Sequence, residues 1–176
     1  IDTIGALLRF FPRAYLNWTD IKPIEEAYFG ENACIKARLI TEVQELKKRP
    51  GMTIYKFIVE DASAQMEVTL FNQRFLAQKL KKDREYLFYG RIQGSFIFKQ
   101  MSSPEIMEAA FNGIEPIYPA SQTLSSKAIE RLVKTALSAV ELPETLPEEV
   151  RKRNNLCDIK FALENIHFPK TKESLE

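Results

Sequence analysis

Hydrophobic and polar residues alternate along several stretches in the middle of the chain. In residues 33–39, Ile35, Ala37 and Leu39 fall on one side of an extended chain, and the residues between them fall on the other. This period of two predicts a half-buried β-strand. Stretches rich in β-branched and aromatic residues predict further strands at residues 53–59, 65–71, 86–93 and 96–101.

Turn-forming residues separate these predicted strands. Pro50-Gly51, Asp61-Ala62-Ser63 and Gly94-Ser95 are combinations typical of tight turns. Residues 73–80 predict a short helix between the third and fourth strands. Three strands, a helix and two further strands are typical of a small barrel, and the five-stranded OB-fold fits this order best. A different five-stranded barrel stays open as an alternative.

The segments on either side of the predicted barrel have other patterns. The N-terminal segment holds a short apolar stretch broken by prolines, which predicts a helical turn followed by an extended, aromatic-rich arm. After the barrel, apolar residues three or four positions apart from Ile129 to Val140 predict an amphipathic helix, and Pro147 and Asp158 begin two more. We therefore predict a mainly β chain, α+β overall, with these divisions: an N-terminal arm in residues 1–30, an OB-fold domain in residues 31–104, and a linker with helices in residues 105–176.

Positive charge is concentrated in the predicted barrel, although the formal net charge of the 176 residues is only +1. From Ala33 to Ser103 there are thirteen Lys and Arg residues against seven Asp and Glu residues, whereas the segments on both sides are acidic. A basic excess of this kind is expected of a surface that binds nucleic acid. A solvated basic face without a partner would show the same excess, so charge alone leaves both interpretations open.

No motif for catalysis or metal binding is present in the sequence. The glycine-rich phosphate loop, the nucleophile elbow and the zinc-protease motif are all missing, and the single histidine, His167, has no neighbouring Ser or Cys to activate. Cys34 and Cys157 lie far apart and match no metal or redox spacing. We therefore expect no catalytic residue and no metal site, with His167 in a structural role. No apolar run is long enough to span a bilayer, so we expect no contact with a membrane.

Phe71 breaks the alternation of the third predicted strand. The residues that share the buried face of this strand are Met66, Val68 and Leu70. Phe71 falls on the opposite face, and Phe75 lies on the same side if helical geometry begins near Phe71, with Arg74 between them. Exposed aromatic rings beside basic residues form a platform on which unpaired bases stack, worth about 1–3 kcal/mol per base. The alternative is that Phe71 packs beneath the helix or against another segment.

Basic residues are expected around this aromatic pair. If the strands pair as the OB-fold requires, Lys36, Arg38 and Lys56 lie on the same outer face as Phe71. The predicted loop between the first two strands carries three more, which are Lys47, Lys48 and Arg49. Loops in this position flank the oligonucleotide groove of OB-folds. Together with Arg74, these residues are expected to contact phosphates, which gives salt-dependent affinity without sequence readout. A solvated basic turn is the alternative.

Short motifs along almost the whole chain occur in the same order in one protein family. They are Phe11–Tyr15, Ile21–Ile24, Phe71–Leu76, Gln100–Met101 with Pro104–Glu105, Ile117–Pro119 followed by Leu124–Lys127, and Asn165–Pro169. On these residues the chain resembles the N-terminal wedge region of the bacterial RecG family of ATP-dependent DNA helicases. The stretch Phe-Asn-Gln-Arg-Phe-Leu at residues 71–76 is the most specific of the matches.

The resemblance implies a function in DNA recombination and repair. In the RecG family the OB-fold is a wedge at the junction of a stalled replication fork. It separates strands while ATP-driven motor domains pull the duplex, and the fork regresses toward a four-way junction. Two aromatic residues of the wedge stack on separated bases, and they correspond to Phe71 and Phe75. The expected partners are branched DNA and the motor domains of the same protein, in a monomer in the bacterial cytoplasm.

The sequence lacks the motor of that family and starts at Ile1, just before the first matching motif, so we expect a piece of a longer protein. We accordingly expect neither a cofactor nor enzyme activity in this chain, because ATP and magnesium would bind to the missing motor. An OB-type module that binds a protein or an oligosaccharide, with no role in DNA binding, stays open as an alternative from another class. A nuclease is disfavoured because the sequence has no metal-binding carboxylate cluster.

Overall fold

The computed structural model describes residues 3–95 and 98–171, apart from the side chain of Lys48. The strands are β1 (Ala14–Asn17), β2 (Asn32–Leu39), β3 (Gln44–Arg49), β4 (Met52–Glu60), β5 (Gln65–Phe71), β6 (Glu85–Gly94), β7 (Lys99–Ser102), β8 (Glu105–Glu108) and β9 (Ile114–Ile117). The helices are α1 (Ile4–Leu8), α2 (Arg74–Lys79), α3 (Ser126–Ala139), α4 (Glu148–Arg153) and α5 (Ile159–His167). The first two residues of the strand predicted at 96–101 lie outside the described residues.

Five strands close into a barrel. Around it the order is β2-β4-β5-β7-β6, and β6 pairs back onto β2. The β5–β7 pair is parallel, and the other pairs of the barrel are antiparallel. The helix α2 lies in the connection between β5 and β6. This arrangement confirms the predicted mainly β fold with a five-stranded, OB-type barrel.

The chain packs into two compact units. The barrel unit is Trp18–Asn112, and the flanking unit is formed by the residues up to Asn17 together with those from Gly113 onward. The arm is part of the barrel unit because Ile24 and Ala27 are buried in the barrel core. Likewise β8 is part of it because β8 pairs with β6. The divisions predicted at residues 30 and 104 therefore lie inside one unit, and the division by role into arm, wedge and linker stays a prediction.

Two strands of the barrel unit have no counterpart in the predicted pattern. β3 pairs with the first half of β4, and β8 pairs with β6. The prediction that Lys47, Lys48 and Arg49 form a loop is wrong, since all three belong to β3, just before the turn at Pro50-Gly51. The physical reason is that β2 stops pairing with β4 after Leu39. The first half of β4 then offers unpaired backbone groups, which β3 satisfies.

The barrel interior is built from the inward positions of the strands. Met66, Val68 and Leu70 are fully buried, as the alternation in β5 predicts. Ile35 and Leu39 of β2 face them in the same core. Burial of each such side chain stabilises the fold by about 1.5–3 kcal/mol. Because side chains alternate along a strand, this burial also sets the outward direction of the residues between them.

The arm is fastened to the barrel by polar contacts as well as by its apolar residues. The ammonium group of Lys99, itself buried, donates to the carbonyl oxygens of Ile24 at 2.5 Å and Glu25 at 2.6 Å. A carboxylate oxygen of Asp61 accepts from the backbone N–H of Ile24 at 2.7 Å. Burial alone would raise the pKa of Asp61, but hydrogen bonds from Ser63 and from backbone N–H groups outweigh it and lower the pKa. The arm is therefore an ordered part of this unit.

In the flanking unit, β1 pairs antiparallel with β9, and the amphipathic helix α3 packs against α1. α3 begins after Ser125, whose hydroxyl accepts from the N–H of Ala128 at 3.3 Å. Its buried stripe includes Ile129 and Val133, which contact the same core as Leu8 of α1. These features confirm the predicted cap and the predicted amphipathic helix, although Leu132, which the pattern also places on the apolar stripe, is 48% exposed. Among the described residues, no helix is both long and apolar enough to cross a membrane.

His167 is fully buried at the end of α5. Its Nε2 lies 3.0 Å from the carbonyl oxygen of Leu8, and its Nδ1 lies 2.9 Å from the hydroxyl of Tyr118. Because a carbonyl can only accept, Nε2 carries the proton and Nδ1 accepts from Tyr118. Burial lowers the pKa of His167 below its ordinary value. The side chain is thus a neutral core residue, which confirms its structural role.

Candidate nucleic-acid interface

The two aromatic residues singled out in the sequence are both exposed. Phe71, the last residue of β5, is 38% exposed, and Phe75 in the first turn of α2 is 82% exposed. The residue before Phe71, Leu70, is fully buried, so the outward direction of Phe71 follows from the pleat of the strand. A phenylalanine left in solvent forgoes about 1.5–3 kcal/mol of burial. The structure therefore confirms the predicted exposure of both rings.

Asn72 connects these two residues in a conformation that most side chains avoid. Its φ angle is +55°, in the left-handed region. The side-chain oxygen Oδ1 of Asn72 accepts from the N–H of Thr53 at 2.8 Å. The N–H of Asn72 donates to the carbonyl oxygen of Thr53 at 2.9 Å. This two-way bond to β4 ends β5 at Phe71 and turns the chain directly into α2.

The helix α2 sets the direction of Phe75. The helix has only six residues, so its position depends on tertiary contacts more than on its own hydrogen bonds. Ala77 and, just after the helix, Leu80 are buried in the barrel core, and Leu76 packs against the same core. Phe75 falls on the opposite side of the helix. The two rings are thus held at one corner of the barrel by packing on one side and by Asn72 on the other.

Three of the predicted phosphate contacts have a carboxylate partner within 3.4 Å, and a fourth, Lys47, has a more distant one. Lys56 lies 2.8 Å from Glu67, Arg38 lies 2.6 Å from Glu60, and Lys36 lies 3.4 Å from Glu85. Each pair is locally neutral, so a phosphate that binds there has to compete with a carboxylate. These pairs depend on strand register, which the hydrophobic pattern alone does not give.

Distance from the aromatic corner, the corner of the barrel that holds Phe71 and Phe75, also separates Lys56 from Arg38. Ile54 of β4 lies opposite Phe71, and Lys56 is two positions further along the same strand. Arg38 lies opposite Glu60. That position is about 20 Å along β4 from Ile54, at about 3.3 Å per residue. The structure therefore brings Lys56 near the aromatic corner and leaves Arg38 away from it.

The β3–β4 hairpin carries further basic residues near Asn72. Lys47 is opposite Thr53, the residue that is hydrogen-bonded to Asn72. Its side chain is largely exposed and lies 3.9 Å from Glu45. Arg49 and Arg74 are exposed as well. Backbone pairing thus places Lys47, Lys48 and Arg49 on the strand next to β4, which itself pairs with β5, although they belong to a strand and not to a loop.

Groups suited to hold a metal ion are not found among the described residues: no three His, Cys, Asp or Glu side chains lie close enough together. Cys34 is buried, and burial raises the pKa of its thiol to about 11. A thiol with such a pKa carries almost no thiolate at neutral pH and is a poor nucleophile. The exposed groups at this corner of the barrel are aromatic rings and basic side chains.

The strand order, the helix between the third and fourth barrel strands and the exposed aromatic corner define an OB-type barrel domain. Comparison with known families makes the assignment specific, since the sequence model of the RecG wedge domain matches residues 1–140. The chain belongs to the RecG wedge domain family.

Curated relatives and a solved structure extend this match to nearly the whole chain. The ATP-dependent DNA helicase RecG of Thermotoga maritima is 27% identical over 185 residues, which cover 100% of this chain and 24% of the relative. The RecG helicase of Synechocystis is 25% identical over 197 residues, covering 99% of this chain and 24% of the relative. A solved structure of RecG bound to a three-way DNA junction has a TM-score of 0.81 and 26% identity, covering 99% of this chain and 25% of that one. The chain thus spans about a quarter of the length of these relatives.

Proposed function

We propose that this chain binds branched DNA as the wedge of an ATP-dependent DNA helicase. The observation that carries the proposal is the pair of exposed rings, Phe71 and Phe75, held at one corner of an OB-type barrel by the Asn72 turn. The names of the RecG relatives and the junction-bound RecG structure support it. At a branch point the rings cover bases that have just lost their partners.

The mechanism needs only stacking and electrostatics. Each ring that covers a bare base contributes about 1–3 kcal/mol, regardless of which base it is. Lys47, Lys48, Arg49 and Arg74 neutralise backbone phosphates next to the rings, which adds affinity without sequence preference. Lys36, Arg38 and Lys56 contribute less, because their carboxylate partners compete with phosphate. The solid barrel then keeps the two separated strands apart.

The wider role belongs to the longer protein of which this chain forms a part. In this proposal motor domains that bind ATP and magnesium pull the parental duplex, and the wedge holds the strands apart. Stalled forks then regress toward four-way junctions during recombination and repair. The longer protein acts as a monomer in the bacterial cytoplasm, and this chain contributes binding but no catalytic group.

Alanine substitution at the two rings tests the proposal. Phe71→Ala and Phe75→Ala should each weaken binding to forked DNA by about 1–3 kcal/mol and leave binding to blunt duplex nearly unchanged. The measurement is fluorescence anisotropy with labelled fork and duplex at fixed salt. Phe161→Ala is the matched control, because Phe161 is a similarly exposed phenylalanine, at 55%, in the flanking unit. An equal loss on fork and duplex would contradict the proposal.

A further inference from the structure

A second pair of exposed aromatic side chains lies in the turn that precedes β2. Tyr28 is 75% exposed and Phe29 is 44% exposed. The turn is tied down, because the N–H of Tyr28 donates to a carboxylate oxygen of Glu31 at 2.7 Å and the N–H of Gly30 donates to the carbonyl oxygen of Ile92 at 2.9 Å. The two rings are therefore presented by an ordered turn beside β6.

An arginine lies against the same turn. Arg91 precedes Ile92 on β6 and is exposed. A Cβ atom at Gly30 would stand 3.5 Å from the nearest guanidinium nitrogen of Arg91, and the φ angle of Gly30 is +83°. The positive φ angle favours glycine at this position, and the distance shows that the guanidinium of Arg91 lies in van der Waals range of the turn. Aromatic rings with an adjacent arginine are the groups that bind unpaired nucleotides, the rings by stacking on bases and the arginine by contact with phosphate or base.

The outer face of the barrel connects this turn with the first aromatic pair. Thr69, two positions before Phe71, lies opposite Ser102 on β7, and Gln100 of β7 lies opposite Gln93 of β6. The turn follows on the far side of β6. Three strand spacings separate it from β5, a distance of about 15 Å, or about four stacked nucleotides. This length falls within the site sizes of about 4–16 nucleotides that OB-folds occupy.

The charges along this route do not repel a nucleic-acid backbone. Glu67 accepts from the ammonium group of Lys56 at 2.8 Å and from the amide of Gln100 at 3.4 Å. Glu31 accepts from the ammonium group of Lys22 at 2.8 Å. Both carboxylates are thus neutralised by lysines, and the side chains that connect the two aromatic pairs are mostly uncharged and polar.

We propose that Tyr28, Phe29 and Arg91 form a second binding site for unpaired nucleotides. One strand leaves the branch point at Phe71, crosses the outer face of β5, β7 and β6, and stacks on the rings of the turn. This inference rests on the proposed function, because the strand reaches the turn only if its branch point lies at Phe71 and Phe75. Holding a strand several nucleotides from the branch point keeps it from pairing again.

The test compares two forks that differ only in the length of one unpaired arm, about two nucleotides in one and about eight in the other. Only the longer arm reaches from Phe71 to Tyr28. The unaltered chain should bind the long-arm fork about fivefold or more tightly than the short-arm fork, the low end of the stacking range for one base. Tyr28→Ala and Arg91→Ala should each remove most of this gain and leave binding to the short-arm fork unchanged.

Control variants separate this inference from the proposed function. Tyr28→Phe should keep the gain in affinity from the longer arm, because it retains the ring. Phe161→Ala should change the affinity for neither fork. Phe71→Ala should weaken binding to both forks. If Phe71→Ala does so while Tyr28→Ala and Arg91→Ala keep the full gain from the longer arm, the second site is wrong and the first stands. If Phe71→Ala changes binding to neither fork, both the proposed function and the second site are wrong. Thermal unfolding of Tyr28→Ala should match that of the unaltered chain, since the ring is mostly exposed.

Discussion

Asn72 is the residue that decides where Phe71 and Phe75 point. Its backbone is left-handed and it makes two hydrogen bonds to Thr53, and only Asn72 and Gln73 separate β5 from α2. Asparagine tolerates this backbone better than other non-glycine residues do. Its short side chain also reaches the N–H of Thr53, so one residue serves both purposes.

Asn72→Ala should therefore lower both stability and fork binding. The left-handed backbone costs alanine about 1–2 kcal/mol, and the lost side-chain bond costs about 0.5–1.5 kcal/mol more. Asn72→Gly permits the left-handed backbone but lacks the side-chain hydrogen bond. Its stability should therefore lie between that of the unaltered chain and that of Asn72→Ala. Asn155, with a φ angle of +53° in the flanking unit, provides the control. Asn155→Ala should lower stability in urea unfolding but leave fork affinity unchanged, and a similar loss of affinity in both variants would contradict a positioning role.

His167 should make the stability of the chain depend on pH. Its pKa is lowered by burial in the folded state, whereas the unfolded chain takes up a proton near pH 6.5. The free energy of unfolding should thus be highest above about pH 7, fall as pH drops through 6.5, and level off below the folded pKa. Urea unfolding at several pH values measures it. His167→Gln removes the only histidine and should abolish this decline in the free energy of unfolding. If the decline persists in the variant, other groups cause it.

At the scale of elements, strands that bury one face can be predicted from the sequence. Strands that bury neither face cannot. β2, β4, β5 and β6 show their pattern because their inward residues are apolar. In β3, by contrast, all the described side chains are exposed, so its sequence Gln-Glu-Leu-Lys-Lys-Arg has no alternation to detect. The same limit applies within the candidate site. The exposure of Phe71 follows from the pleat of β5, whereas the role of Asn72 depends on Thr53, nineteen positions away.

The arm should detach when Lys99 loses its ammonium group. Lys99→Met keeps the length of the side chain but leaves the carbonyl oxygens of Ile24 and Glu25 without their donor. Loss of hydrogen bonds to a charged group should cost about 1.5–3 kcal/mol. Lys82→Met, at an exposed position, is the control. Lys99→Met, but not the control, should show a lower urea midpoint and faster protease cleavage within residues 18–30. Cleavage of Lys99→Met at the control rate would show that apolar packing suffices to hold the arm.

At the scale of the whole molecule, the proposed function predicts a strong dependence of fork binding on salt. Each phosphate contact that is lost should reduce the slope of log K against log salt by about one. Arg74→Gln should show this reduction, whereas Arg38→Gln should show little of it, because Glu60 already holds Arg38. Titrations over a range of salt concentrations measure the slope. A nearly flat dependence would instead favour the OB-type module that binds a protein or an oligosaccharide.

The pairing of β1 with β9 has a consequence for how such a domain can be exchanged. Asn17, the last residue before the barrel unit, lies opposite Ile114, just after that unit ends. Opposed residues of an antiparallel pair have Cα atoms only about 4.5–5.5 Å apart. The two ends of the barrel unit thus lie close together in the flanking unit, and domains whose ends are close together tolerate insertion into another chain.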